Sequence, residues 1–366
     1  MDFSFTETQN DAAELAATIF ANECTPERLK AADQGRFDEN LWSKLGDAGL
    51  LGLCLPEIIG GSGLGLLELC SVLVEAGRKV APAPLASHLP AALAIAEFGD
   101  QGIQDAWLPG AVSGAQILTA AIAEERAHVP AVPSTTAERD GDQWLVTGVK
   151  SVVPAGTIAS LFLVPASTAE GVAIFLVEPG DGVTILGQRV SDGSEVARLD
   201  LDRAPGIPLG TLAEGAAAVE WLQQRLTLAA CALELGIVKG ALDLTAAYAK
   251  TREQFGRPIG TFQAVSQRLA DAYIDILGSD LTLWQAAWRL EEGLPAEVEL
   301  ASAKLWAADT GHKVAHTTVH VHGGVGIDMD GEAHRYFTTG KLGEFLLGGT
   351  TDQARRIGAL LAAEPA

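Results

Sequence analysis

Basic residues are scarce in this 366-residue chain: 25 Lys and Arg stand against 47 Asp and Glu, a formal net charge of −22 at a sequence pI of about 4.6. No Lys/Arg stripe is present to displace counterions from a phosphate backbone, which excludes a nucleic-acid-binding surface. Cysteine is sparse too. Cys24, Cys54, Cys70 and Cys231 lie far apart with no Cys-x-x-Cys pair, so reduced structural thiols are expected rather than a disulfide framework or a zinc site. There is no basic-then-apolar N-terminus and no uninterrupted apolar run approaching about 18 residues; no signal peptide, no membrane and a cytoplasmic location are the expectations. What the chain does have is 48% hydrophobic residues and a mean hydropathy of +0.20, enough for a substantial core, with the acid excess keeping it in solution.

From Phe5 to about Phe98 apolar residues recur at helical spacing, clearest in Asn40–Leu53 and Gly65–Val80, with breaks at Leu55–Gly63 and at Ala81-Pro82-Ala83-Pro84. From about Gly114 short β-rich runs follow: Gln116–Ala123, Gln143–Thr147, Ser160–Val164, Gly171–Val177 and Glu195–Leu201. After Pro208 long Ala/Leu-rich helices are expected at Ala216–Tyr248, Phe262–Gly293 and Ala296–Val319. Domains at 1–113, 114–210 and 211–366 follow. Strands never alternate with helices, which disfavours a doubly wound dinucleotide sheet. The cluster Gly60-Gly61-Ser62-Gly63-Leu64-Gly65 lies between helices with no Gly-Lys-Ser/Thr after it, so it reads as an interhelical loop and not a phosphate loop.

The stretch Tyr248–Gln263 carries the most information. It places a guanidinium (Arg252), an aromatic edge (Phe255) and a close-approach glycine (Gly256) at a corner between two helices, suited to gripping a phosphate-bearing ligand. Arg252 capping the last carbonyls of its own helix is an equally open reading. His312, His316 and His320 follow at four-residue spacing with His322 just beyond. Such a row could hold a divalent metal, but no His-Glu-x-x-His carboxylate accompanies it, and packed or interface histidines are the simpler reading, with no metal site.

The segment Arg252-Glu253-Gln254-Phe255-Gly256 through Ile259, Phe262 and Gln263 closely resembles the Arg-x-x-Phe-Gly-x-x-Ile-x-x-Phe-Gln signature of the acyl-CoA dehydrogenase family. Leu55-Pro56-Glu57 with Gly60–Gly63, Glu75-Ala76-Gly77-Arg78 and His322-Gly323-Gly324-Val325-Gly326 are similar, in order, to further segments of that family. The resemblance implies an α+β fold: an N-terminal helical domain, a central β-domain and a C-terminal four-helix bundle that mediates subunit contacts. It implies FAD shared between subunits, one holding the ring and supplying a catalytic glutamate, the neighbour contacting the pyrophosphate and adenosine. Arg252, Phe255, Gln263, Gly323 and Gly324 match the neighbour's contribution, and His320 stands where a Gln is usual.

The ring-holding half departs from the family pattern. A Trp-x-Ser/Thr segment normally follows Gly-x-Lys, whereas Gly148-Val149-Lys150 is followed by Ser151-Val152-Val153-Pro154. The loop Ala123-Glu124-Glu125-Arg126-Ala127-His128 also departs, and Glu124 and Glu125 read as a solvated acidic turn. The catalytic glutamate of a Tyr-Glu-Gly-Thr-like segment is replaced by Gly348 in Leu347-Gly348-Gly349-Thr350, and glycine cannot remove an α-proton. The alternative base position of some relatives falls at about Leu226, beside Arg225 and Thr227. Glu220 and Glu234 on that helix read as surface or local ion-pair residues, and Glu344 is the fallback base.

Taken together, the chain resembles the non-catalytic subunit of the α2β2 acyl-CoA dehydrogenases of actinobacterial steroid side-chain degradation. That implies a homologous catalytic subunit as partner, an acyl-CoA substrate, electron-transfer flavoprotein as acceptor, and two flavins per heterotetramer. The alternatives are an active homotetramer with an unaligned base, and a flavin-free scaffold or acyl-CoA-binding protein.

Overall fold

A computed structural model describes residues 4–363. In chain order the helices and strands are α1 (Glu7–Glu23), α2 (Pro26–Ala31), α3 (Glu39–Asp47), α4 (Leu66–Arg78), α5 (Leu85–Phe98), α6 (Gln101–Ser113), β1 (Leu118–Ala120), β2 (Thr136–Asp140), β3 (Gln143–Pro154), β4 (Leu161–Thr168), β5 (Gly171–Val177), β6 (Val183–Arg189), β7 (Glu195–Pro208), α7 (Gly215–Thr251), β8 (Glu253–Gln254), β9 (Arg257–Pro258), α8 (Gln263–Glu291), α9 (Glu297–His322), α10 (Ala333–Phe345) and α11 (Thr350–Ala363). The chain divides into two compact units. One comprises Met1–Ala31, Leu66–Ala81 and Thr227–Ala366, the other Ala32–Gly65 and Pro82–Leu226.

The second unit contains the sheet. Its strands run β1-β4-β2-β3-β7-β5, β6 pairs with β7, and a β4–β5 pairing closes the path on itself as a small barrel. Alternating residues fill its interior, among them Val146, Phe162, Val164, Phe175, Leu199 and Leu201, all buried. Two of the strands have little apolar signal. In β2 only Ala137 is buried, and β6 is an edge strand with no fully buried residue.

One histidine ties helices α5 and α6 to this sheet. His88, fully buried, accepts a hydrogen bond at Nδ1 from the Leu118 amide (3.1 Å) and donates from Nε2 to the Ala111 carbonyl (3.2 Å). Burial holds the ring neutral, its pKa down at about 4 against an ordinary 6.5. Because the folded-state value lies below the unfolded one, the stability it confers is complete above pH 6.5 and is lost as pH falls towards 4. That amounts to about 3 kcal/mol. Urea titrations of the chain and of His88→Gln at about pH 7 and about pH 4.5 should show this loss in the former and a much smaller one in the latter.

The first unit is helical. Its N-terminal helix starts at a capping box, with Thr6 Oγ1 accepting from the Gln9 amide (3.3 Å) and Gln9 Oε1 accepting from the Thr6 amide (2.9 Å). Helices α4 and α7 cross almost backbone to backbone. A Cβ on Gly77 would collide with the Leu233 carbonyl, and one on Gly236 with that of Val74. Helix α10 ties into this crossing, as Tyr336 Oη donates to the Arg78 carbonyl (2.7 Å). Helix α8 leaves Tyr273, Ile274, Leu277, Leu281 and Trp288 exposed.

Candidate functional site

Two segments whose ends are 71 residues apart in sequence finish side by side in the first unit. Helix α7 finishes at Thr251 and α9 at His322, and the rings of Tyr248 and His322 stack with centroids 4.3 Å apart at 23°. His322 Nδ1 donates to the Thr318 carbonyl (2.8 Å), which fixes the ring. Beyond α7, β8 and β9 form a hairpin whose two turn residues, Phe255 (φ 53°) and Gly256 (φ 75°), both lie in the left-handed region, as a type I′ turn requires. The non-glycine Phe255 is strained there by about 1 kcal/mol and is 93% exposed. Beyond α9, Gly323 (φ 63°) and Gly324 have open space where a side chain would stand.

Around this end stand polar side chains without partners among the described residues. Arg252, Gln263 and His320 are exposed. The Arg252 amide donates to Tyr248 O (2.8 Å) and its carbonyl accepts from Ile259 N (2.8 Å). The guanidinium itself makes no hydrogen bond or ion pair among the described residues, so helix capping is not its role. A hollow of about 360 Å3 lies beside the hairpin, lined by Ala249, Lys250, Pro258, Gly260, Thr261 and Ser266 among others. A guanidinium, an amide, an imidazole and bare glycine backbone are together equipped to receive an anionic, phosphate-bearing group.

The loop Ala123–His128 in the second unit overturns its sequence reading. Glu124 is buried, not solvated: it accepts from Lys150 Nζ (2.8 Å) and from the amides and hydroxyls of Ser134 and Thr135 at 2.6–3.0 Å. Burial alone would raise its carboxyl, but these donors outweigh it and hold the pKa at about 2. Lys150 has no exposed surface, and burial lowers its pKa against the pull of Glu124. The signal was the charged Lys150 in the middle of an apolar strand. Glu125, by contrast, is exposed as expected. After Lys150 the β3–β7 register slips, and Val152 sits in the left-handed region (φ 51°), an unusual place for a β-branched residue. No aromatic ring or hydroxyl stands at 152–154.

The corner between α10 and α11 contains Gly348 at φ 95° after Leu347 at φ 58°. A Cβ at 348 would meet Gln353 Nε2 at 3.1 Å and Asp352 Cβ at 3.3 Å. The corner is thus shaped around a missing side chain, held by Gln353 Nε2 donating to Leu347 O (3.2 Å) and Asp352 Oδ2 accepting from Gly349 N (3.1 Å). Gly348→Glu is expected to lower stability by about 1–3 kcal/mol and to create no dehydrogenase activity in the isolated chain. Thermal melting and an acyl-CoA oxidation assay check both, and turnover in the variant would refute this account of the corner.

Glu344 is engaged by Lys341 and by His312 (Nδ1 to Oε2, 3.1 Å). At the alternative base position Leu226 and Thr227 are buried, and Arg225 lies 3.8 Å over the Trp221 ring. Glu220 is exposed, but Glu234 is 2% exposed, a correction to its surface reading. His312, His316 and His320 are exposed, and among the described residues no group of three or more His, Cys, Asp or Glu could hold a metal ion. No helix among them is long and apolar enough to cross a membrane.

Residues 6–115 match the acyl-CoA dehydrogenase N-terminal domain and residues 215–361 the acyl-CoA dehydrogenase C-terminal domain. The chain is 46% identical over 378 residues to acyl-CoA dehydrogenase FadE27 of Mycobacterium tuberculosis, with 100% of both proteins covered. Its structure is similar to a chain of the ChsE4–ChsE5 complex from Mycobacterium tuberculosis, with a TM-score of 0.94 and 45% identity over 100% of both. A chain of a variant of the Tcur3481–Tcur3483 steroid ACAD follows at TM-score 0.93 and 43% identity, covering 98% of both. With both of its helical domains matched and relatives aligned end to end, the chain belongs to the acyl-CoA dehydrogenase family.

Proposed function

We propose that the chain is the non-catalytic subunit of a heteromeric, FAD-dependent acyl-CoA dehydrogenase, completing the FAD site of a homologous catalytic partner in an α2β2 assembly. The observation that carries this reading is an asymmetry. The groups suited to a pyrophosphate are present, Arg252, Gln263 and His320 without partners among the described residues and the Gly323–Gly324 backbone with open space beside it, whereas Gly348 stands where a base would be needed. Phe255 at the hairpin tip would add apolar contact to the adenosine end. These residues fit the dinucleotide's anionic middle, and Arg252 would orient it by paired N–H donors. FAD, when bound, supplies the hydride acceptor for 2,3-desaturation of an acyl-CoA thioester. This chain's residues bind and orient it, and no group at 348 removes a proton.

The relatives support the heteromer, since one is a chain of a complex named for two components and another is described as a steroid ACAD. A steroid side-chain thioester is therefore the proposed substrate class, with electron-transfer flavoprotein as acceptor and the cytoplasm as location. The exposed apolar stripe on α8 is the kind of face a partner subunit covers. We place the domain boundaries at 1–113, 114–210 and 211–366, because α6 ends at Ser113 and β7 at Pro208.

Purifying the chain alone and together with its catalytic partner tests the proposal. The lone chain is expected to be colourless and inactive, and the heterotetramer to carry two flavins. Stoichiometric FAD and acyl-CoA oxidation by the lone chain would sink it.

A further inference from the structure

The helical unit buries charge where a bundle ordinarily buries hydrocarbon. Glu234, on α7, has neither carboxylate oxygen hydrogen-bonded among the described residues. Glycine makes the room for it: a Cβ on Gly311 of α9 or on Gly343 of α10 would run into its oxygens, and one on Gly340 would lie 3.4 Å from Oε1. Lys304 of α9, 1% exposed, turns its ammonium instead to two carbonyls in the last turn of α10, Gly343 O (3.0 Å) and Glu344 O (3.4 Å). Carboxylate and ammonium thus converge on the same residue, Gly343, without pairing.

A buried carboxylate with no donor costs several kcal/mol and is relieved by a proton or by a cation. We infer that Lys304 has two seats: with Glu234 a neutral acid, the ammonium caps the C-terminal carbonyls of α10. With Glu234 ionised, the ammonium moves to the carboxylate, which uncaps α10 and loosens the corner Leu346–Gly349 that follows it. This inference rests on the bundle alone and is independent of the chain's role towards FAD.

The surrounding groups set where the exchange occurs. Burial pushes the Glu234 carboxyl up to about 8 against the pull of Lys304 and Lys341, with Glu344 adding to the rise. Burial pushes the Lys304 ammonium down, opposed by Cys231, Glu234, Glu344 and Asp352. Cys231, next to Glu234 on α7's inner face, is itself pushed up to about 12 and stays a neutral thiol. Lys341 and Glu344 of α10 already pair with each other. Because the folded-state value of Glu234 lies above its ordinary 4.5, the capped form is complete at low pH and is lost as pH rises through about 8.

Hydrogen–deuterium exchange of the full chain from about pH 6.5 to about pH 9.5, corrected for intrinsic exchange, reads the corner directly. Protection across residues 344–353 is expected to fall about tenfold with rising pH in the wild type. In Glu234→Gln, which carries a permanently neutral head group, protection should stay high and flat. A wild-type profile that is flat, or a variant profile that matches a sloping wild type, would overturn the inference. Should the variant not fold, infrared difference titration of the wild type decides: a buried protonated carboxylic acid at neutral pH supports it, and its absence refutes it.

Discussion

Replacing Arg252 by alanine is expected to weaken FAD binding by the assembled heteromer about a hundredfold, the loss of a bidentate, charge-assisted contact to a phosphate. The chain's own stability should change little, because the guanidinium is exposed and bonds to none of the described residues. Arg252→Lys should recover only part of the affinity, since a point charge cannot reproduce the planar fork. The dissociation constant measured from flavin fluorescence on dilution checks both variants. An unchanged constant in Arg252→Ala would remove this residue from the cofactor site and, with it, the main support for the subunit reading.

Lys150→Met is expected to have the largest effect on folding. It would leave Glu124, whose side chain is 7% exposed, as a buried anion without its cation. The expected loss is about 3–5 kcal/mol. In the wild type the Glu124 carboxyl is held below its ordinary 4.5, so its contribution is complete above that pH and is lost as pH falls through about 2. Without Lys150 that acid dependence should shrink. Guanidinium unfolding at neutral pH measures the loss, and the double variant Lys150→Met with Glu124→Gln should regain part of it. A loss below about 1 kcal/mol would show that Ser134 and Thr135 alone hold the carboxylate.

The long helices were legible because periodicity survives over many turns: Ala216–Tyr248 is expected and Gly215–Thr251 observed. Strand β5 was legible to the residue, since Gly171–Val177 is an apolar run with turn residues at both ends. Strands β2 and β6 were not. Thr136–Asp140 carries one buried alanine and is held in the sheet by its neighbours' hydrogen bonds, which composition does not encode. The departure at Gly348 and the match at Arg252 stand out in the sequence because both lie in recognisable segments. Glu124 and Glu234 could not, because burial of a charge depends on what arrives from elsewhere in the chain: Lys150 and the Ser134–Thr135 backbone for one, Gly311 and Gly343 for the other. A lone acid in an apolar helix and a lone lysine in an apolar strand were the signals available.

The backbone crossing at Gly77 and Gly236 has a kinetic side. Helix α4, whose Leu69, Val72, Leu73 and Ala76 are buried, leaves the ribosome well before helix α7 that crosses it, with residues 79–214 in between. At ordinary elongation rates that interval is on the order of ten seconds. Through it the barrel can close on its own residues while α4 has only α1, made before it, to cover its apolar side. The vulnerable moment in this protein's synthesis therefore belongs to a helix, not to the sheet, and α4 is where a holdase chaperone would find the nascent chain.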